Sequence, residues 1–548
     1  MLRERYEPET WGYVELPDGS NAPLRHWENL IGSSRSCDVV LRQDDCARTH
    51  AALIRGEDGL WTLFDLDTGS DTYYDGYCVP PEGIILRDGD SFSIGGSELR
   101  FIDLTEEERS LLSKRRTKPG SAIRPGLTLT LVTLFQALLA LQLCYTMGAG
   151  YAREIVLAFG ALALIEWCYY LVMRSIRRMG FEVETLAFLL CSVGFAVCAS
   201  SVPEDLVKQV ILTLVGIGVF IILGWWLRDL RRARAMRWTA AAAAIVFLAV
   251  NLILSRVTYG ARNWVQIGSF TVQPSEFVKV LYIYAGAATL DRLYMGRNLF
   301  MYIGFSAVCV GALALMGDFG TALIFFVTFL VISFMRSGNL ATVFLAITAA
   351  ALAGLLVLTV KPYIAQRFAT WGHVWEYAYD EGFQQTRTLS AAASGGLFGY
   401  GAGGGWLKGI FAANTDLVFG MVCEELGLII ALLCAGVPIL FAAFTVKNSA
   451  QGRSSFYVIA ACAAVSMMLV QMALNIFGSV DILPLTGVTF PFVSIGGSSL
   501  ISCWALLAFI KAGDTRRGAS FVVKPLEAYR DAQDEYDALL DYGEEADE

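Results

Sequence analysis

The amino-acid pattern predicts a polytopic α-helical membrane protein with an N-terminal all-β domain, and three features carry that prediction. Hydrophobic residues make up 55% of the 548 residues and charged residues only 17%, outside the usual range of soluble globular chains. The apolar residues gather in runs of about 20, each enough to cross roughly 30 Å of hydrocarbon as a helix. Residues 1–104, by contrast, have ordinary globular composition.

In that first part, the short runs WGYVEL, DVVL, AALI, WTLFDL and SFSIGG are separated by the turn formers PDG, GED and RDGD. That spacing is expected of a β-sandwich. The N-terminus, MLRERYEPETWGYVELPDGS, has no apolar stretch of signal-peptide type, so the domain is expected in the cytoplasm. A basic, proline-containing linker at 105–125 leads to a multi-pass region at 126–515, and an acidic tail at 516–548 is expected to stay disordered and solvated. The tail accounts for much of the net charge of -9, which therefore says little about substrate.

The multi-pass region reads as about twelve spans, near 126–147, 154–173, 182–201, 207–227, 238–255, 275–290, 299–316, 318–335, 339–360, 416–445, 455–477 and 490–511. If they alternate, KRRTKPGSAIR, RSIRR, RDLRRARAMR, DRLYMGR, MRSGN, KNSAQGR and KAGDTRR share one side. The positive-inside rule makes that side cytoplasmic and puts both termini there. The outer face then carries RVTYGARNWVQIGSFTVQ, a long loop from about 361 to 415, and GSVDILPLTGVTF.

None of the 12 cysteines forms a metal-spaced pair or a disulfide framework, so they read as small apolar packing residues. Ionisable groups inside the spans cost about 2.5–3.5 kcal/mol on insertion scales and call for a partner or a role. Glu276 and Lys279, three apart in QPSEFVK, share a helix face and suit a mutual ion pair. Asp318 in MGDFGTAL, and Glu424 with Glu425 in TDLVFGMVCEELG, fall near outer span ends, where pairing, solvation and function all remain open. No P-loop or dinucleotide fingerprint occurs; GAGGG at 401–405 lacks the flanking strand and Lys-Ser/Thr and reads as a flexible loop.

The stretch IGSSRSCDVVLRQDDCARTHAALI, with WTLFDLDTGSDTYYDG and LRDGDSFSIGG after it, resembles a forkhead-associated (FHA) domain. The resemblance places ligand loops at Gly32, Arg35, Arg48, His50 and Ser70 and implies a cytoplasmic protein or phosphoprotein partner. Three usual ligand positions differ: Ser33 follows Gly32, Ala47 stands where a serine precedes His50, and Ser70 replaces an asparagine. Arg35 and Arg48 could supply charge to a phosphate, but the hydroxyl donor at position 47 is absent.

Further along, GARNW, QPSEFVK, DFGTA, SGGLFGYG, TDLVFGMVCEELG and LPLTGVTFPFVSIGGSS occur in that order over about residues 238–515. Together they resemble the FtsW/RodA/SpoVE, or SEDS, family. The resemblance implies a peptidoglycan glycosyltransferase of division, elongation or cell-shape control. Such enzymes polymerise lipid II at the outer face of the bacterial cytoplasmic membrane, beside a class B penicillin-binding protein. Membrane lipids are the remaining partner, and no nucleic acid is implied. The pyrophosphate of lipid II is its own leaving group, so no nucleotide is required. The transfer needs a base for the attacking hydroxyl and cations or a divalent metal ion, magnesium or manganese, for the pyrophosphate. Arg262, Lys361 and Arg367 are the outer-face cations; Gln384 and Asp416 complete the substrate-binding candidates. With only His373 of three histidines outside, a carboxylate base is favoured.

The family's loop aspartate lies in a pattern like W-x-D-x-x-G-x-G-Y-Q, and an ungapped match to WEYAYDEGFQ puts Tyr377 at that position. A tyrosine of ordinary pKa near 10 is no ready base at neutral pH. Either a local shift brings Asp380 into the position, or Glu376 reaches it, or the chemistry is lost. Besides the glycosyltransferase, a lipid II binder or translocator, and a weak scaffold coupling the FHA-like domain to the wall machinery, therefore stand as alternatives.

Overall fold

The computed structural model describes residues 9–35, 37–66, 71–105, 108, 111–112, 124–258, 261–267, 270–290, 296–337, 340–360, 362–516 and 518–523. Ser70, Lys361 and the acidic run after residue 523 lie outside the described residues.

The N-terminal part is a two-sheet sandwich. In spatial order one sheet holds β2 (Asn21–Leu24), β1 (Gly12–Glu15), β11 (Ser97–Asp103), β10 (Ser91–Ile94), β7 (Thr72–Tyr74) and β8 (Tyr77–Cys78). The other holds β4 (Val39–Val40), β3 (Glu28–Gly32), β5 (Ala51–Arg55), β6 (Trp61–Asp65) and β9 (Ile84–Leu86). Strand β11 shows the cause: Ser97, Leu99 and Phe101 are buried while Glu98 and Arg100 between them are exposed, the period-2 pattern of a strand with one face on a core. Its inward residues face Phe92 of β10 and Val14 of β1 across the ladder, and the Trp61 ring meets Phe101 at 5.7 Å from the other sheet.

The rest is helical: α1 (Pro125–Met147), α2 (Ala152–Ser175), α3 (Glu182–Ser201), α4 (Leu206–Trp226), the short α5 (Leu230–Ala235), α6 (Arg237–Leu254), α7 (Pro274–Leu290), α8 (Gly296–Met316), α9 (Phe319–Ser337), α10 (Leu340–Val360), α11 (Pro362–Thr370), α12 (Phe383–Gly395), α13 (Val418–Ser449), α14 (Ser455–Ser479) and α15 (Gly497–Ala512). Among the described residues eight, α1–α4, α6, α8, α13 and α14, are long and apolar enough to cross a membrane. Helices α7 and α15, of 17 and 16 residues, and α9 and α10, of 19 and 21 residues, stand where further spans are expected. The chain is a multi-pass membrane protein. Helix α3 is enclosed by its neighbours along most of its length, and α14 lies against α7, α9, α13 and α15.

Three stretches differ from the sequence expectation. The segment 256–272 is paired backbone, β12 (Arg256–Thr258), β13 (Ala261–Ile267) and β14 (Phe270–Val272). The long loop contains α11 and α12. Residues 518–522 do not join a solvated tail: Met179 and Gly180 donate to the carbonyls of Gly518 and Ala519 at 2.9 and 3.1 Å, Phe521 meets Phe220 at 5.5 Å, and Val522 is buried. The apolar SFVV preceding the acidic run explains that packing. All twelve cysteines are free.

The bundle has two distinct ends. At the first, the sandwich sits on α5 and on the turn between α13 and α14. Arg453 forms a buried two-toothed pair with Glu9 at 2.5 and 2.7 Å and accepts the Trp27 amide on its carbonyl at 2.6 Å. Buried Glu28 accepts from Arg234 at 2.9 Å, Ser454 at 2.8 Å and the Ser455 amide at 2.9 Å. Glu57 accepts the Leu230 amide, and Arg231 pairs with Asp58 at 2.7 Å. The far end holds the opposite termini of α13 and α14.

Candidate functional site

The far end is organised by a break in α13. Gly427 has φ +86°, which only glycine adopts at no steric cost, and it splits the helix after Glu424 and Glu425. The carbonyls so released accept the amides of Tyr400 (2.9 Å) and Gly401 (2.8 Å), while Leu428 donates to Gly396 at 3.0 Å. The stretch SGGLFGYG thus satisfies backbone groups that hydrocarbon would leave unpaired. The two carboxylates complete this pairing. Glu424 accepts from the amides of Trp406 (2.9 Å) and Leu407 (3.0 Å), and Glu425 from Gly403 (2.8 Å) and Ser200 (2.5 Å). GAGGG is therefore a tethered loop wrapped around acids, opposite in charge to a phosphate cradle; a side chain at Gly405 would lie within 2.5 Å of Glu424.

Asn475, near the end of α14, holds the next segment. Its amide donates to the carbonyls of Val488 (2.7 Å), Asp416 (3.0 Å) and Thr415 (3.3 Å). Ser494 donates to the Thr415 carbonyl at 2.6 Å, and the Ile495 amide to Asn414 at 2.9 Å. The TDL and LPLTGVTFPFVSIGG segments are thereby locked together. Deeper in the bundle Lys279 donates to Glu276 at 2.8 Å and to Gln471 at 2.9 Å; Ser502 donates to Glu276 at 2.6 Å. Gln471 reaches Thr489 at 2.9 Å, so the expected ion pair braces the same segment from below.

These pieces meet around half-buried Asp416. Asp416 lies beside Gly487, whose added Cβ would be 3.2 Å from the carboxylate Oδ2. Burial pushes the Asp416 carboxyl up to about 6, against the opposing pull of the Thr415 hydrogen bond and of Arg367. Arg367, on α11, is exposed and donates to the Leu485 carbonyl at 2.9 Å. Asp318 caps α9 by accepting the Thr321 amide at 3.0 Å; it is 7% exposed and its Oδ2 has no partner.

Other candidates are not drawn in. Glu376 and Asp380 are exposed in the turns of 371–382, where Tyr377 contributes its carbonyl to the amides of Asp380 and Gly382, each at 3.0 Å. Gln384 donates to the Phe411 carbonyl at 2.9 Å and so serves the loop. Arg262 is on β13, with its side chain outside the description. Among the described residues no group of three or more His, Cys, Asp or Glu converges, so those residues do not fit a protein-built metal cage. Asn475, Gln471 and Gly487 were not singled out by sequence reasoning; an amide within an apolar span was the available sign for the first two.

In the sandwich, the Ser33 and Ser34 amides donate to the carbonyls of Ala47 (2.9 Å) and Arg48 (3.1 Å). Fully buried His50 accepts the Ala47 amide on Nδ1 at 3.2 Å and braces the loop. A side chain on Gly32 would collide with the Arg48 carbonyl. Arg35 and Arg48 are exposed. These loops occupy the end of β3 and β5 away from Glu28 and the bundle contact.

Fold and site define a multi-pass membrane protein with an N-terminal FHA domain and a cluster of polar groups at the far end of its bundle. The FHA-domain family model matches residues 29–95. The FtsW/RodA/SpoVE model, described as cell cycle protein, matches residues 185–517; the chain belongs to that family. The match starts at α3 and leaves α1 and α2 before it. The peptidoglycan glycosyltransferase RodA of Mycobacterium tuberculosis is 27% identical over 328 residues, covering 55% of this chain and 69% of the relative. A probable peptidoglycan glycosyltransferase FtsW of Coxiella burnetii is 31% identical over 276 residues, covering 48% and 73%. Among solved structures, a chain from work on the structural coordination of polymerization and crosslinking by a peptidoglycan synthase complex shares the fold at TM-score 0.50 and 24% identity, covering 61% of this chain and 98% of that one.

Proposed function

We propose that this protein is a peptidoglycan glycosyltransferase that polymerises lipid II into glycan strands at the outer face of the cytoplasmic membrane. The observation that carries the reading is the convergence of the separated segments DFGTA, TDLVF and LPLTGVTFPF around Asp318, Arg367, Asp416 and Asn475. Relatives of the chain are named peptidoglycan glycosyltransferase RodA and probable peptidoglycan glycosyltransferase FtsW. The basic residues on α5 and the α13–α14 turn favour a cytoplasmic sandwich end and an outer-face position for the Asp416 cluster.

In this mechanism a carboxylate takes the proton of the acceptor sugar hydroxyl, whose oxygen displaces the polyprenyl pyrophosphate from the donor sugar. Arg367 is the described cation placed to meet the leaving pyrophosphate, assisted by Arg262 and Lys361. A class B penicillin-binding protein outside and a cytoplasmic protein or phosphoprotein at the FHA loops complete the assembly. Purified full-length protein with lipid II tests the reading beside a relative of known activity. Glycan polymer is the expected product; lipid movement without polymer indicates a translocator, and binding alone a scaffold, either of which overturns the enzymatic reading.

A further inference from the structure

We propose that Asp416 is the general base of the transfer, in place of the carboxylates in the loop 371–382. The assignment rests on the glycosyltransferase reading above. A base must keep a free lone pair, be partly withdrawn from water, and face space that a sugar hydroxyl can enter near the cation that steadies the leaving group.

The carboxylates at this end of the bundle separate on those criteria. Glu424 and Glu425 accept backbone amides on their side-chain oxygens and are buried under the 403–407 loop. Asp481 accepts the Gly372 amide at 3.1 Å and the Gln385 side chain at 3.4 Å, tying loop to helix. Asp318 is 7% exposed and caps α9. Glu376, Asp380 and Glu381 are exposed at the surface.

Asp416 meets the criteria together. It is half-buried, and its Oδ2 is flanked by exposed Gly487, which has no side chain to cover it. Its backbone is fixed, since the Asp416 amide donates to Ala412 at 2.9 Å and its carbonyl accepts from Asn475. Two charged groups act on it, Arg367 from α11 and Asp318 from the α8–α9 turn. Gly487 has φ +68°, a conformation that also disfavours any other residue there.

The step balances without an added reactant. Asp416 accepts the hydroxyl proton as that oxygen bonds to the anomeric carbon of the donor sugar. The bond from that carbon to the pyrophosphate oxygen breaks, and the pyrophosphate departs with the electron pair. The proton then passes from Asp416 to water.

The test compares initial rates of lipid II polymerisation by full-length wild type, Asp416→Asn, Asp416→Glu, Asp380→Ala and Glu376→Ala, with lipid II binding and thermal unfolding measured on each. Asp416→Asn is expected to lower kcat by about 100-fold or more while lipid II binding and the unfolding midpoint stay near wild type. Asp416→Glu is expected to restore part of the rate. The wild-type rate should fall as the pH drops below about 6, where the carboxyl takes up its proton, and the residual rate of Asp416→Asn should lose that limb. An active Asp416→Asn, or loss of rate in Asp380→Ala or Glu376→Ala with binding intact, overturns the assignment and leaves the enzymatic reading standing. A wild type that makes no polymer beside an active relative overturns both.

Discussion

The two ends of the bundle use similar charged residues to opposite effect. At the bundle end that carries the FHA domain, the carboxylates are matched: Glu9 with Arg453 and Glu28 with Arg234 across the contact, and Glu184 with Lys511, and Glu182 and Asp514 with Arg516, within the helical part. At the far end the acids of 371–382 stand in solvent, and Asp416 is half-buried without a direct ion pair among the described contacts. One end holds a fixed contact, and the other leaves these carboxylates outside the described ion pairs. Helices α13 and α14 join them: their shared turn grips the FHA domain through Arg453 and Ser454, while their opposite termini present Asp416 and Asn475.

The largest expected loss comes from breaking the matched end. Arg453→Ala leaves Glu9, only 4% exposed, as a buried charge without its guanidinium. Removing one member of such a pair costs about 3–5 kcal/mol. Hydrogen exchange at the Trp27 amide, which donates to the Arg453 carbonyl at 2.6 Å, reads the effect directly. Faster exchange is expected in Arg453→Ala, with partial recovery in the swap Glu9→Arg with Arg453→Glu. Unchanged protection in the single variant would show that the sandwich is held by its other contacts.

A smaller loss is expected inside the far end, where Glu424 is spent on two amides. Glu424→Gln keeps the shape but turns a charged acceptor into an amide, one of whose groups faces a donor. The loss of charge-assisted bonds costs about 2 kcal/mol. It should appear as faster exchange at the amides of Trp406 and Leu407 with the sandwich end unaffected. Loosening at both ends together would break the distinction drawn between them.

What could be read from the chain follows the range of each interaction. Strand alternation in β11, the apolar spans and the Glu276–Lys279 pair are local, with partners two to four residues apart, so pattern alone predicts them. Glu166 escaped notice because its partners Thr133 and Gln136 come from α1, with Gln136 donating in turn to Ser192 of α3, and nothing in any one helix marks the cluster. Glu9 and Arg453 are 444 positions apart. Glu424 and Glu425 stayed open between pairing, solvation and function because the kink that assigns them to loop amides exists only once Gly427 adopts its φ of +86°. The candidate site was half legible: Asp416 and Arg367 could be named from sequence, but their meeting around Thr486–Val488 could not.

The smallest expected effect falls on the acids that first seem most suggestive, and it sharpens the contrast because their own loop contains a sensitive position. Glu376 and Asp380 are exposed, and the turn they occupy is held by backbone, through the Tyr377 carbonyl. The double variant Glu376→Gln with Asp380→Asn should leave the thermal unfolding midpoint where it is, as surface changes away from caps and buried networks do. Gly382→Ala in the same loop should lower it, because the added methyl would lie 3.0 Å from the Tyr377 carbonyl and closer still to that of Val374. If the order were reversed, with the acids destabilising and the methyl tolerated, the loop would be held by its side chains. Its carboxylates would then belong with the matched charges of the FHA end.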